Sequence, residues 1–303
     1  MTTTVQNYLD KGLRGLWYPV LASWEVQSAP VGITRLGEQI VVWRIKDGQV
    51  QALEDRCPHR GARLSMGWNL GDRIACWYHG VEVAGNGEVK DVPAVDRCPL
   101  VGQQCVRSYS EHEAHGAIFL WFGVTADQQP DELSFPEELA DSEKYSNFLC
   151  TAAWKCNYQY ALENVMDPMH GTYLHSSSHS MAEGDRKADM VLQPTKTGFI
   201  FEKKGQSGVN FDWVELGNSG AYWMRLSIPY KKRFGPGGHF WIVGMVVPED
   251  NDNCRVIFCR IRAVQGWQLD LWRFMNSNRL EKLHWEVLVQ DRVVLESLAP
   301  NAR

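Results

Sequence analysis

Two short clusters of cysteine and histidine constrain this 303-residue chain more than any other feature. Cys57 and His59 form a C-x-H unit, and Cys76 and His79 form a C-x2-H unit after residues 60–75. Each unit offers one thiolate and one imidazole, and each is followed by glycine, as CPHRG and CWYHG. Glycine allows tight loops whose backbone amides approach the ligands. The sequence therefore predicts a metal centre held between two such loops.

The mixed pairing suits a two-iron two-sulfur cluster in which one iron takes two cysteines and the other takes two histidines. Structural zinc is the alternative, because zinc also accepts two of each, but its usual fingers pair like residues at C-x2-4-C and H-x3-5-H. The segment CPHRGARLSMGWNLGDRIACWYHG resembles the cluster-binding segment of Rieske proteins over its full length. This resemblance implies that Cys57, His59, Cys76 and His79 bind a Rieske 2Fe-2S cluster.

Composition narrows the classes of partner. The chain is 44% hydrophobic and 22% charged, as in globular proteins, and its formal net charge of -5 offers no broad positive field for nucleic acid. The sequence predicts no signal peptide and no membrane span, so a cytoplasmic location is expected. The chain has eight cysteines, and because it is large and expected to be cytosolic, metal ligation is considered for them before disulfides.

The pattern along the chain predicts two domains of an α+β protein. Short β-rich runs fill residues 12–122, and the polar, acidic segment 124–145 reads as a connection, so we place the domains at 1–145 and 146–303. In the second domain a helix is expected over 156–165. Alternating runs from GFIFEKK to CRVIFCRIRA then predict an antiparallel sheet, and the segment 265–298 predicts a C-terminal helix in one or two pieces.

A second metal-binding pattern lies in ENVMDPMHGTYLH, where Asp167, His170 and His175 supply one carboxylate and two imidazoles. Such a set is typical of mononuclear iron sites, although structural or solvated histidines explain it equally well when it is taken alone. At 100° per residue His170 and His175 would lie about 140° apart on a straight helix. Pro168, Gly171 or a local bulge must therefore change the backbone direction if both face one metal.

The order N-x2-D-x2-H-x4-H after a Rieske segment resembles the catalytic domain of Rieske non-heme iron oxygenases, the aromatic ring-hydroxylating family. The resemblance implies that His170 and His175 bind a mononuclear Fe(II). It also implies an acidic third ligand on the C-terminal helix, where LVQDRVVLESL places Asp291 in the matching context. Glu286 and Glu296 are weaker candidates that read as solvated helix charges.

The same resemblance assigns roles to two further residues. Asp167 is expected to bridge electron transfer between His170 and His79 of a neighbouring subunit, and Asn164 is expected beside the open side of the iron. For the second domain the resemblance implies a helix-grip, START-like sheet packed with helices. It also implies a head-to-tail homotrimer, with or without β subunits.

The resemblance implies the catalytic oxygenase component of a multicomponent enzyme that uses O2. Electrons are expected from a separate reductase, with or without a ferredoxin, because the chain lacks a dinucleotide-binding G-x-G-x-x-G. The expected substrate is a small aromatic compound, with or without a carboxylate, that is mono- or dioxygenated. Oxidative O- or N-demethylation is one alternative. A Rieske electron-transfer protein with a non-catalytic binding domain is another, and a zinc-stabilised binding protein is the third.

Two features concern substrate and chain length. Arg225 and His239 could bind a substrate carboxylate, but the sequence does not show which face of each strand points inward. Family members commonly continue beyond the point that corresponds to Arg303, which leaves C-terminal packing and trimer stability open. Seven aromatic residues of the predicted sheet could line an apolar pocket or belong to the core: Phe199, Phe201, Phe211, Trp213, Trp223, Phe240 and Trp241.

Overall fold

The computed structural model describes residues 9, 11–125, 127–178, 184–206, 208–229 and 237–299. It divides into two compact units, Met1–Asp131 with Val247–Asp250 and Glu132–Val246 with Asn251–Arg303. The division between Asp131 and Glu132 falls inside the polar segment 124–145. The domain limits 1–145 and 146–303 stay a prediction.

The first unit is built from three small antiparallel sheets, with strand orders β1-β10-β9, β2-β3-β4 and β5-β6-β7-β8. Single turns of 3-10 helix occupy Ser23–Glu25 and Leu64–Met66. The strands are β1 Leu16–Ala22, β2 Val31–Arg35, β3 Glu38–Arg44, β4 Val50–Glu54, β5 Trp68–Asn69, β6 Arg73–Ala75, β7 Glu82–Ala84, β8 Val89–Asp91, β9 Glu111–Ala114 and β10 Ala117–Phe122.

The core of the first unit reaches the two cysteine-histidine units. Val41 and Trp43 of β3 are fully buried, as are Leu53 of β4 and Leu64. Cys57 and Cys76 pack against this same cluster of side chains. Because tightly packed cores leave little room for side-chain movement, packing against this core fixes the positions of the two thiols.

The second unit contains one seven-stranded sheet of order β11-β17-β16-β15-β14-β13-β12. The predicted antiparallel sheet is confirmed, and its three longest strands have ten residues each. The strands are β11 Tyr145–Trp154, β12 Met190–Pro194, β13 Gly198–Lys203, β14 Trp213–Asn218, β15 Tyr222–Pro229, β16 His239–Pro248 and β17 Cys254–Ala263.

Two strands of this sheet are not evident in the sequence. The segment of β11 carries Ser, Asn and two Ala, which favour strands only weakly, yet it pairs with β17 along its whole length. β12 is an edge strand that ends at Pro194, where a missing amide breaks no ladder. Tertiary pairing, rather than local preference, forms both strands.

Among the described residues, five α-helices accompany the sheet, which confirms the α+β class. The predicted C-terminal helix is helical from Trp267 to Glu296, with a π-helical turn at Asn276–Leu280 separating two α-helices. The helices are α1 Glu137–Ala140, α2 Tyr158–Met166, α3 Gly171–Leu174, α4 Trp267–Met275 and α5 Glu281–Glu296.

Helices α2, α4 and α5 cover one face of the sheet. Trp272 of α4 and Leu295 of α5 join a core that includes Phe258 of β17. On β15 the side chains of Met224 and Leu226, two residues apart, both point into this core. This is the two-residue period of a strand with one face covered. Within the described part of the chain, no helix is both long and apolar enough to cross a membrane.

Candidate metal centres

The two cysteine-histidine units form loops with the same backbone hydrogen bonds. In each loop the amide of glycine, Gly61 or Gly80, donates to the carbonyl of the cysteine at 2.9 Å. The amides of Cys57 and Cys76 donate at 2.8 Å to the carbonyl of the residue after that glycine. Both glycines have φ of +72°, a conformation that L side chains rarely adopt. The predicted requirement for glycine after each unit is therefore explained by backbone geometry.

The four side chains of these loops divide into an inner and an outer pair. Cys57 and Cys76 are buried, whereas His59 is exposed and His79 half-buried, with their ring centroids 4.8 Å apart. Burial raises the pKa of the Cys57 thiol to about 11, with a further contribution from the neighbouring Cys76 thiol. Two buried thiols ionise when a metal group balances their charge. The arrangement fits a cluster with an inner cysteine-bound iron and an outer histidine-bound iron.

The second constellation lies where a helix ends and the chain turns. α2 ends at Met166, Asp167 caps it, and α3 begins at Gly171. Because the chain is not a straight helix between Asp167 and His175, the angular conflict between His170 and His175 disappears. Of the alternatives that the sequence left open, the change in backbone direction occurs across Asp167 and Pro168.

Asp291 of α5 meets the two histidines. Its Oδ1 lies 3.4 Å from Nε2 of His170 and 3.2 Å from Nε2 of His175. The ligand atoms of the three residues all lie within 4.8 Å of one another. His175 is fully buried and Asp291 is 4% exposed. Two imidazoles and one carboxylate converge as a single transition-metal ion requires.

Both histidines are oriented by oxygen acceptors. Nδ1 of His175 lies 2.8 Å from Oε1 of Gln290, and Nδ1 of His170 lies 2.5 Å from the backbone carbonyl of Asp167. These oxygens only accept, so Nδ1 donates, and each Nε2 faces Asp291, where its deprotonated form can bind a metal ion. Nε2 of His175 is buried without a hydrogen-bond partner among the described residues. Metal-ligating histidines are held in this way, so the set fits an iron ion.

The environment of Asp291 favours its ionised form. Burial raises the pKa of Asp291, but the His170 and His175 imidazoles lower it, and the net pKa lies below the usual value. Nδ2 of Asn164 donates to Oδ1 of Asp291 at 3.1 Å. Asn164 thus contacts a candidate ligand. The Asp167 carboxylate accepts the Met169 amide at 2.7 Å.

An apolar pocket opens beside these three residues, with an empty volume of about 730 Å³ that includes its mouth. Its polar lining residues are His170, His175 and Asp291 together with Arg260 and His284. The apolar lining residues are Cys150, Val165, Phe211, Met224, Leu226, Ile228, Phe240, Ile242, Phe258, Val287 and Leu288.

Other residues considered from the sequence lie elsewhere. Arg225 forms ion pairs with Glu138 at 3.0 Å and with Glu215 at 2.5 Å, and His239 is exposed, so neither lines the pocket. Of the seven sheet aromatics, Phe211 and Phe240 line it. The weaker acidic candidates, Glu286 and Glu296, are exposed on α5, where charges read as solvated.

Sequence reasoning missed three residues of this site: Gln290, Arg260 and His284. His284 precedes Asp291 by two helical turns and therefore shares its face, a periodicity that could have revealed it. Arg260 follows Phe258 on the same face of an apolar strand. A charged residue among apolar residues on one strand face could have indicated a functional role. Gln290 gave no signal, because its role depends on how α5 meets α3.

Comparison with known proteins decides the family. Residues 16–110 match the Rieske [2Fe-2S] domain, and residues 154–303 match the vanillate O-demethylase oxygenase C-terminal domain. The chain belongs to the Rieske non-heme iron oxygenases. The family carries both a Rieske cluster and a mononuclear iron, and both ligand sets described above fit those groups. The zinc alternative is therefore wrong.

Curated oxygenase components resemble this Rieske oxygenase in sequence. The vanillate O-demethylase oxygenase subunit of Pseudomonas sp. (strain HR199 / DSM 7063) is 33% identical over 172 residues, 57% of this chain and 48% of that protein. The carbazole 1,9a-dioxygenase terminal oxygenase component of Metapseudomonas resinovorans is 31% identical over 227 residues, 71% of this chain and 55% of that protein. The alignments thus span about half of each relative.

Solved structures share the fold of this Rieske oxygenase. The terminal oxygenase of carbazole 1,9a-dioxygenase from Novosphingobium sp. KA1 matches with a TM-score of 0.75 at 21% identity, covering 96% of this chain and 85% of that one. Dicamba monooxygenase bound to dicamba matches with a TM-score of 0.72 at 23% identity, covering 94% and 86%. The likeness extends over both units and confirms the predicted architecture.

Proposed function

We propose that this chain is the terminal oxygenase component of a multicomponent Rieske oxygenase that oxygenates a small aromatic substrate. The observation that carries the proposal is the convergence of His170, His175 and Asp291 at the wall of an apolar pocket. When bound, the cluster supplies electrons singly and the mononuclear iron activates dioxygen. Cys57, His59, Cys76 and His79 would hold the cluster, and the convergent three residues would hold the iron.

The chain's own residues supply orientation and a dry site. Gln290 and the Asp167 carbonyl fix the two imidazole rings, and Asn164 restrains the carboxylate of Asp291. The apolar walls exclude water from the reacting region, which strengthens electrostatic interactions there. Electrons come from a reductase, with or without a ferredoxin. Monooxygenation consumes O2, two electrons and two protons and leaves one water, whereas dioxygenation places both oxygen atoms in the product.

Oxidative O- or N-demethylation is the second candidate reaction. The match of residues 154–303 to the vanillate O-demethylase C-terminal domain favours it, because that half of the chain carries the pocket. A head-to-tail homotrimer, with or without β subunits, remains a proposal. So does the bridge from Asp167 to His79 of a neighbouring subunit. The cytoplasmic location stays a prediction, as does the absence of nucleic-acid and membrane partners.

A single-turnover experiment tests the proposal. The protein, loaded with iron and chemically reduced, is exposed to 18O2 with 4-methoxybenzoate or benzoate as the probe. Ring hydroxylation places 18O in the aromatic product, and demethylation releases formaldehyde with 4-hydroxybenzoate. Asp291→Ala is expected to abolish both products, whereas His239→Ala, a surface change, retains them. A reduced, iron-loaded protein that forms no product from any aromatic probe would support the electron-transfer alternative.

A further inference from the structure

The pocket has a second polar end that the proposed function does not use. Arg260 is only 3% exposed, and its Nη1 donates to Nδ1 of His284 at 3.2 Å. The His284 ring stacks on Phe240, with centroids 4.7 Å apart and planes 28° apart. Both Arg260 and His284 line the pocket. A cation is therefore positioned on a wall that is otherwise apolar.

The charge of Arg260 is not balanced by the protein. Its Nε is buried without a hydrogen-bond partner, and among the described residues no carboxylate forms an ion pair with it. Arg225, two strands away, instead pairs with both Glu138 and Glu215. An unpaired guanidinium is costly to bury, because burial removes its hydration. The contrast indicates that the partner of Arg260 is a ligand.

We propose that Arg260 binds the carboxylate of an aromatic acid whose ring occupies the pocket. The inference rests on the proposed function and names the substrate class of that same site. A guanidinium presents its donors in a planar fork that matches two carboxylate oxygens. His284 is the positioning residue, since it accepts from Nη1 and leaves the remaining Nη donors of the guanidinium for the acid.

The spacing along α5 indicates how far the end of the pocket at His284 lies from the triad. His284 and Asp291 share a face of α5, and a rise of 1.5 Å per residue separates them by about 10 Å. One benzene ring and a hydrogen bond of about 3 Å fill such a span. The substrate is thus a monocyclic acid oxidised at a position remote from its carboxylate, on the ring or on a methoxy substituent.

Binding of matched probes tests this assignment without turnover. Calorimetry under anaerobic conditions compares 4-methoxybenzoate with its neutral isostere 4-methoxybenzamide on the iron-loaded protein. We expect the wild-type protein to bind the acid at least about tenfold more tightly. Arg260→Met is expected to weaken acid binding by about 100-fold and to leave amide binding nearly unchanged, because a buried charge partner is lost. Arg260→Lys, which keeps the charge but not the fork, is expected to lie between the two.

The control is Arg255→Met. Arg255 lies on the opposite face of the same strand, β17, and donates to Oγ1 of Thr151 at 2.7 Å, so its loss should not change acid binding. Equal affinity of the wild-type protein for acid and amide would overturn the inference, as would an Arg260→Lys variant that is folded and shows no weakening. Either result leaves the proposed function intact if the wild-type protein still oxygenates neutral aromatic compounds. If it formed no product from any aromatic probe, the proposed function itself would be contradicted.

Discussion

The cluster loops take all four candidate ligands from residues 57–79, whereas the pocket triad joins His170 and His175 to Asp291 of α5. In the loops the backbone sets the geometry, through paired hydrogen bonds and a glycine of positive φ. In the triad each ligand is set by another side chain or carbonyl. The geometry of the local site is therefore fixed by backbone conformation. The geometry of the site assembled from distant segments is fixed by the residues that surround its ligands.

The largest effect is expected from removing a ligand of the local site. Cys76→Ser should abolish the cluster, because both thiolates are needed on the inner iron. Acid-labile sulfide and the Rieske absorbance should disappear while about one iron per chain remains at the triad. Cys105→Ser, an exposed cysteine of the same unit, is the control and should keep the full spectrum. Loss of the triad iron as well would show that the two sites are not independent.

The next effect concerns the support of the triad. Gln290→Ala removes the acceptor that orients His175, and such changes commonly weaken metal binding by about 10- to 100-fold. Iron affinity measured by competition with a chelator checks this value, with the Rieske spectrum unchanged. Glu286→Ala on the exposed face of the same helix is the control. Equal iron affinity in both variants would contradict the role given to Gln290.

A smaller effect is expected from the backbone of the cluster loops. Gly80→Ala places an L side chain at a φ of +72°, at a cost of about 1 kcal/mol, although its Cβ would meet only Pro93 at 3.5 Å. Gly37→Ala, at +74° in open space, should cost the same stability. Only Gly80→Ala should alter the electron paramagnetic resonance spectrum of the cluster. A changed spectrum in both variants would contradict the role given to the backbone of the cluster loops.

The smallest effect is expected at Asn164. Asn164→Ala removes one hydrogen bond to Oδ1 of Asp291, worth about 1 kcal/mol, so iron affinity should fall about fivefold. The chelator titration used for Gln290 measures it, and the two variants should rank in that order. If Asn164→Ala bound iron more weakly than Gln290→Ala, the position of the carboxylate, rather than that of the His175 ring, would limit iron binding.

The same contrast explains what the sequence could reveal. The four candidate cluster ligands could be named from the sequence because ligands, spacing and glycines all lie within one short segment. Strands with clear alternation, such as β16 and β17, were predicted as well. β11 was missed because its strand depends on pairing with β17 rather than on its own residues. Asp291 required the family resemblance, since no local pattern separates it from the other acids of α5.

Supporting residues were the hardest to predict. The role of Gln290 follows from the packing of α5 beside α3, which no periodicity of α5 reports. For Arg225 and Arg260 the sequence offered no distinction, and only the positions of Glu138 and Glu215 show which arginine is already paired. Sequence therefore identifies ligands more readily than it identifies the residues that hold or exploit them.

The most direct test is anaerobic analysis of iron and acid-labile sulfide, with visible and electron paramagnetic resonance spectra, on the wild-type protein and on His170→Ala. The account predicts about three irons and two sulfides per chain, falling by about one iron in the variant while sulfide and the Rieske spectrum stay unchanged. Two irons in the wild-type protein supplied with ferrous iron, and no change in the variant, would contradict the mononuclear site and the oxygenase proposal with it.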